Sequence, residues 1–197
     1  MTLTEIKEKQ LIQKAFLWFW MYAVFGWCYE VFMEVVVKRW GFHNRGVLFG
    51  PYCPIYGVGA LLFIVCFSGL MKKKEPKWLV WVKPVIIFLG CMAVATTVEL
   101  IASYIMEALT GAWPWQTYSE YKYNFQARIA LPTSIRFGIG GVLFLYVIQP
   151  FYEWLTNKPS RKALNIITVA VLLIVLTDFI YVKATGYEPV LAEVPSS

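Results

Sequence analysis

Residues 84–108 read PVIIFLGCMAVATTVELIASYIMEA, a run in which Glu99 and Glu107 carry the only charges. A helix of about 20 such residues crosses the hydrocarbon core of a bilayer. Four further runs share this character, so the sequence predicts helices over 15–37, 54–71, 84–108, 133–154 and 163–183. Composition agrees: 59% of the 197 residues are hydrophobic and only 15% are charged, too apolar and too charge-poor for a soluble domain. The expected fold is all-α, a polytopic membrane helix bundle of about five transmembrane helices. It forms a single transmembrane domain over 1–197, with a short amphiphilic segment at 1–14 and a short extracytoplasmic tail at 184–197. The first run contains Glu30 and Glu34 and lacks a small-residue cleavage site after it, so it reads as a retained helix and not a signal peptide.

Tryptophans support the span ends. Trp18, Trp20, Trp40, Trp78, Trp81 and Trp154 fall near them, where indoles favour the headgroup zone. Basic residues set the expected orientation. Lys7, Lys9, Lys14, Lys72, Lys73, Lys74, Lys77, Lys83, Lys158, Arg161 and Lys162 fall on one side. Lys38, Arg39, Arg45, Lys122, Arg128, Arg136 and Lys183 fall on the other. The richer side is expected to be cytoplasmic, which puts the N-terminus inside and the connections 43–57 and 111–131 outside. The net charge of +6 is dispersed around helix ends, which suits a membrane topology and anionic lipid near Lys72–Lys74 better than nucleic acid.

Cys28, Cys53, Cys66 and Cys91 are widely spaced and read as packing residues, with no zinc pattern or disulfide framework. His43 is the sole histidine, so a multi-histidine metal centre is excluded, and it reads as an interfacial polar residue. Neither a metal nor a cofactor is expected. The sequence carries no Gly-rich phosphate loop, so ATP-driven activity would need a separate energising subunit.

Acids inside the apolar runs are the main functional clue, because a carboxylate in hydrocarbon is costly and faces a partner or a polar cavity. Gly26, Glu30 and Glu34 recur every four residues and share a helix face, as do Thr96, Glu99, Ser103 and Glu107. Asp178 is expected at a similar depth to Glu30 and Glu99, about 22 Å from the cytoplasmic helix ends at the rise of an α-helix. Arg45, Arg128 and Arg136 are placed to meet these acids, so one reading is an internal salt-bridge network. The other is a cavity for a cationic or zwitterionic solute or for protons, with Tyr56, Tyr104 and other aromatics available to hold a cation.

The string His43-Asn44-Arg45-Gly46-Val47-Leu48-Phe49-Gly50-Pro51-Tyr52-Cys53-Pro54-Ile55-Tyr56-Gly57, preceded by Gly26-Trp27-Cys28-Tyr29-Glu30, resembles the putative ABC-transporter type IV family of bacterial integral membrane proteins. Thr97-Val98-Glu99, Tyr104, Glu107, Trp115-Gln116-Thr117-Tyr118-Ser119, Tyr123-Asn124-Phe125 and Arg128-Ile129-Ala130-Leu131 resemble its second block. The chain departs from the family pattern at Gln116, where an acid is expected, and near Ala127, where a glycine is expected. The resemblance implies transport and a multi-pass position in the bacterial cytoplasmic membrane. Independently of it, Gly46, Gly50, Gly57, Pro51 and Pro54 suit a loop that folds back before the second helix.

Three functions follow as expectations. The first is transport of a small solute, or the substrate-binding membrane subunit of a transporter. Its candidate ligand residues are Glu30, Glu34, Asn44, Arg45, Tyr56, Glu99, Ser103, Tyr104, Glu107 and Arg128. The alternatives are a non-catalytic accessory or assembly protein, using Gly26 and Gly138-Ile139-Gly140-Gly141 for close helix contacts, and an intramembrane enzyme acting on a lipid headgroup. Membrane lipids, an unidentified small solute, and a homodimer or energising subunit are the expected partners.

Overall fold

A computed structural model describes residues 3–39, 41–44, 46–72, 76, 79–113 and 115–187, with the side chains of 3–7 and 79 outside that description. Arg45, Trp40, Trp78, Lys73, Lys74, Lys77 and the tail from 188 lie outside the described residues. The helices are α1 (Leu3–Phe32), α2 (Pro54–Lys72), α3 (Leu79–Thr110), α4 (Leu131–Leu143), α5 (Gln149–Asn157) and α6 (Arg161–Thr185). Wide π-turns at Met33–Val37 and Phe144–Ile148 extend α1 and join α4 to α5. Among the described residues five helical segments are therefore long and apolar enough to span a membrane, and the protein is a multi-pass membrane protein with an all-α bundle fold.

Two boundaries differ from expectation. The segment 4–14 is not separate: α1 runs through it unbroken, because no Gly or Pro interrupts it and Glu5, Lys7, Glu8 and Lys9 are good helix formers. Helix α3 begins five residues before Pro84 and keeps that proline inside it. Pro150 sits two residues past the end of the second π-turn, with Gln149 between. Proline lacks an amide and crowds the carbonyl of the preceding turn, and a widened turn is one way a helix accommodates it. Helix α6 has conventional ends. Ser160 Oγ accepts from Ala163 N at 3.3 Å, and Gly186 closes the helix at φ +65°.

The chain divides into two compact units. One runs through Leu61 and resumes at Pro150; the other holds Leu62–Gln149. In the first, α1 lies beside α5 and α6. Gln13 Nε2 donates to Asn165 Oδ1 at 2.7 Å, Trp18 Nε1 donates to Thr156 Oγ1 at 3.0 Å, and the Tyr22 and Tyr152 rings sit 4.8 Å apart. Ala23, Leu48 and Tyr52 form its apolar core.

In the second unit, α3 packs on α4 around Phe63, Ile87, Cys91 and Leu145. Gly138 and Gly141 permit this approach: a Cβ on either would lie 2.6 Å from Phe88 or 2.4 Å from Cys91. Gly140 faces open space. Two glycines of that stretch therefore serve packing inside the unit. A two-stranded hairpin, β1 (Asn124–Phe125) and β2 (Ile129–Ala130), leads into α4. Its turn holds Gln126 and Ala127 at φ +52° and +54°, the left-handed region that favours glycine. The departure from the family pattern near Ala127 thus falls on a position where glycine would be relaxed.

Candidate functional site

In the first unit the segment after α1 turns back along it. Cys53 N donates to Ala23 O at 2.9 Å, so Pro54 starts α2 opposite a residue 14 positions before Val37, about 21 Å back along the helix axis. Asn44 holds the entry to this segment: its side chain accepts from Trp27 Nε1 at 2.8 Å and donates to Phe49 O at 2.7 Å. Gly46, at φ +112°, makes a turn that other residues strain to adopt.

Asp178 anchors the segment from α6. Its Oδ1 accepts from Phe49 N at 3.3 Å, and its Oδ2 accepts from Gly50 N at 3.0 Å and from the Tyr52 hydroxyl. Three donors on one carboxylate spend both oxygens. Burial raises the Tyr52 phenol above its ordinary range, and Asp178, which takes its hydrogen bond and opposes the phenolate, raises it further.

Glu30 is met differently. Gly26 lies one turn before it, and the Tyr56 ring covers that glycine so closely that a Cβ there would be 2.1 Å from Tyr56 Cγ. The covering ring delivers its hydroxyl to Glu30 Oε1. The four-residue spacing of Gly26 and Glu30 therefore seats a tyrosine from α2. Glu34 lies in the π-turn, is buried, and pairs with His43 Nδ1 at 2.8 Å, while His43 is half-exposed. His43 was expected to be merely interfacial; here it is a partner for a buried acid.

The second unit gathers the stripe on α3. Thr96 Oγ1 donates to Ser134 Oγ at 2.7 Å, and Glu99 Oε1 accepts from the Tyr118 hydroxyl at 2.7 Å. Arg128 Nη1 reaches Ser103 Oγ at 3.3 Å, and its Nη2 binds Glu107 Oε2 at 2.5 Å. The guanidinium is sandwiched between the Tyr104 and Trp113 rings, 4.1 and 4.0 Å from their centroids. Trp113 and Trp115 donate to the carbonyls of Ala127 and Arg128, so they hold the hairpin rather than only anchoring an interface. Arg128 Nε and Thr133 Oγ1 are buried without a hydrogen-bond partner among the described residues.

The expected ligand residues thus fall into two groups. Glu30, Glu34, Asn44 and Tyr56 belong to the first unit, and Glu99, Ser103, Tyr104, Glu107 and Arg128 to the second. Of the expected arginines, Arg128 meets an acid, and Arg136 is exposed and makes no ion pair among the described residues. Tyr52 and Tyr118, expected only among the flanking aromatics, and Asp178, expected as a buried acid, fall outside the expected ligand set, although they bind the segments that carry it. The only sequence signal for the first was the Tyr52–Tyr56 spacing, which puts hydroxyls before and inside the first turn of α2.

None of the described residues form a His, Cys, Asp or Glu group able to hold a metal. A family model described as "Putative ABC-transporter type IV" matches residues 17–182. No curated protein and no solved structure matches the chain.

Proposed function

The chain belongs to the putative ABC-transporter type IV family, and from that premise we propose that it transports a small solute or is the substrate-binding membrane subunit of a transporter. The supporting observation is the kind of donor that meets the acids of the first unit. Glu30 and Asp178 accept from phenol hydroxyls and backbone amides, and neither pairs with a basic side chain among the described residues. A neutral donor satisfies lone pairs without cancelling charge, whereas an arginine does both, as Arg128 does for Glu107. Acids kept only to lock helices together gain from the second arrangement. Acids that must meet a solute or a proton need the first.

In this reading Glu30 and Tyr56 hold the solute, Glu34 and Asn44 border it, and Arg45, the remaining expected ligand residue of this segment, lies outside the described residues. The cavity opens toward the extracytoplasmic side of the bacterial plasma membrane, as the lysine and arginine distribution favours. Arg128, Tyr104, Ser103 and Glu107 shape the second polar group, with Glu99 at its buried end. An energising subunit or a second copy completes the transporter.

Native mass spectrometry of the detergent-purified chain, with identification of released molecules, tests this. A reproducible non-detergent small molecule on the wild type, missing from folded Glu30→Gln, supports it. An empty wild type that co-purifies with one protein partner instead favours an accessory role.

A further inference from the structure

We propose that Glu30 is the anionic end of a site for a small monocation, the positively charged head of the transported solute. This rests on the transport reading and adds to it the sign and size of the solute's charge.

The acids of the spans and adjoining turns differ in what their oxygens have left to offer. Asp178 spends both oxygens on the Phe49 and Gly50 amides and the Tyr52 hydroxyl. Glu34 is buried against His43, and Glu107 is bound to the Arg128 guanidinium. Glu99 is buried beneath the Tyr118 hydroxyl. Glu30 uses only Oε1, toward the uncharged Tyr56 hydroxyl, while Oε2 makes no hydrogen bond among the described residues and is not sealed from contact. It is half-buried, so its field is less screened than at an open surface. Tyr56 meets it through its hydroxyl, the Tyr29 ring lies 6.3 Å from the Tyr56 ring centre to centre, and aromatic faces attract cations.

One available carboxylate oxygen and flanking rings select a single positive charge. A divalent ion takes several oxygen ligands, and no group of three or more acidic, His or Cys side chains capable of holding one occurs among the described residues. An ammonium can donate to Oε2 while its carbon side lies on the rings. The bond from Tyr56 fixes the carboxylate without competing for its charge.

The test is thermal unfolding of the full purified chain titrated with methylammonium chloride, against calcium chloride at matched ionic strength. A saturable rise in melting temperature is expected with methylammonium, and no more than the ionic-strength effect with calcium. Glu30→Gln keeps an amide oxygen for the Tyr56 hydroxyl, so it should fold, and it should weaken the response at least ~10-fold in affinity. Tyr56→Phe keeps the charge and should retain a saturable response. The proposal is overturned if wild type gives no saturable response, if Glu30→Gln responds as wild type does, or if calcium is preferred. Should Glu30→Gln not fold, loss of the response in folded Tyr56→Phe overturns it. Vesicle flux separates the two readings. Methylammonium binding without flux of any cation keeps the site and removes transport; flux of a neutral or anionic solute without methylammonium binding removes the site.

Discussion

Replacing Gly26 by Ala should be among the most damaging single-methyl additions in the chain. The new Cβ would lie 2.1 Å from Cγ and 2.6 Å from Cβ of Tyr56, so the clash is with the root of the side chain and no terminal rotation relieves it. Overpacking of this kind costs about 1–3 kcal/mol. If Tyr56 swings away, its hydroxyl leaves Glu30, and a lost hydrogen bond to a charged group adds about 1.5–3 kcal/mol. Alanine's better helix propensity returns about 1 kcal/mol. The expected net loss is about 3 kcal/mol, roughly a hundredfold in the folding equilibrium. Unfolding in mixed micelles by rising SDS fraction, followed by far-UV circular dichroism, would measure it. In a Tyr56→Ala background the same substitution has room and should be neutral or slightly stabilising, giving a coupling of about 3 kcal/mol. Equal losses in both backgrounds, or no loss in the wild type, would refute the claim that Gly26 exists to seat Tyr56.

Asp178→Ala removes the acceptor for two amides and a hydroxyl, and should destabilise by about 3 kcal/mol and speed maleimide labelling of buried Cys53, an unchanged rate counting against the anchor. Ala127→Gly relieves a φ of +54° and should stabilise by about 0.5–1 kcal/mol in the same unfolding titration. The raised Tyr52 phenol predicts a pH dependence. Its contribution is full below the ordinary phenol range and declines as pH climbs above about 10, because the unfolded chain ionises first. Wild type should therefore lose stability more steeply than Tyr52→Phe across that alkaline range, and parallel curves would contradict the assignment.

The chemistry of the two units follows one distinction. In the second, a guanidinium held between two rings ties the hairpin to α3, and its charge is balanced by Glu107. In the first, Glu34 pairs with His43, while Glu30 and Asp178 are held by tyrosine hydroxyls and backbone amides. A salt-bridge network and a polar site were both open from the residue pattern alone.

Sequence alone determined the spans, because crossing a bilayer imposes a length and an apolar composition that are local properties of the chain. All five expected helices occur, with ends displaced by up to about five residues in four of them. The first begins further out because helix propensity continued past the apolar run. The turn-back before α2 was also legible, since glycines and prolines dictate local backbone conformation. Pairings were not. Glu30 with Tyr56, Asp178 with Tyr52 and the Phe49 and Gly50 amides, and Arg128 rather than Arg136 with Glu107 depend on how helices far apart in sequence register against each other. That register is set by contacts such as Tyr56 on Gly26 and Phe88 on Gly138, where the absence of one side chain decides which other side chain fits. Spacing shows which acids share a helix face; only the packed helices decide which of them meets a basic side chain and which meets hydroxyls and amides.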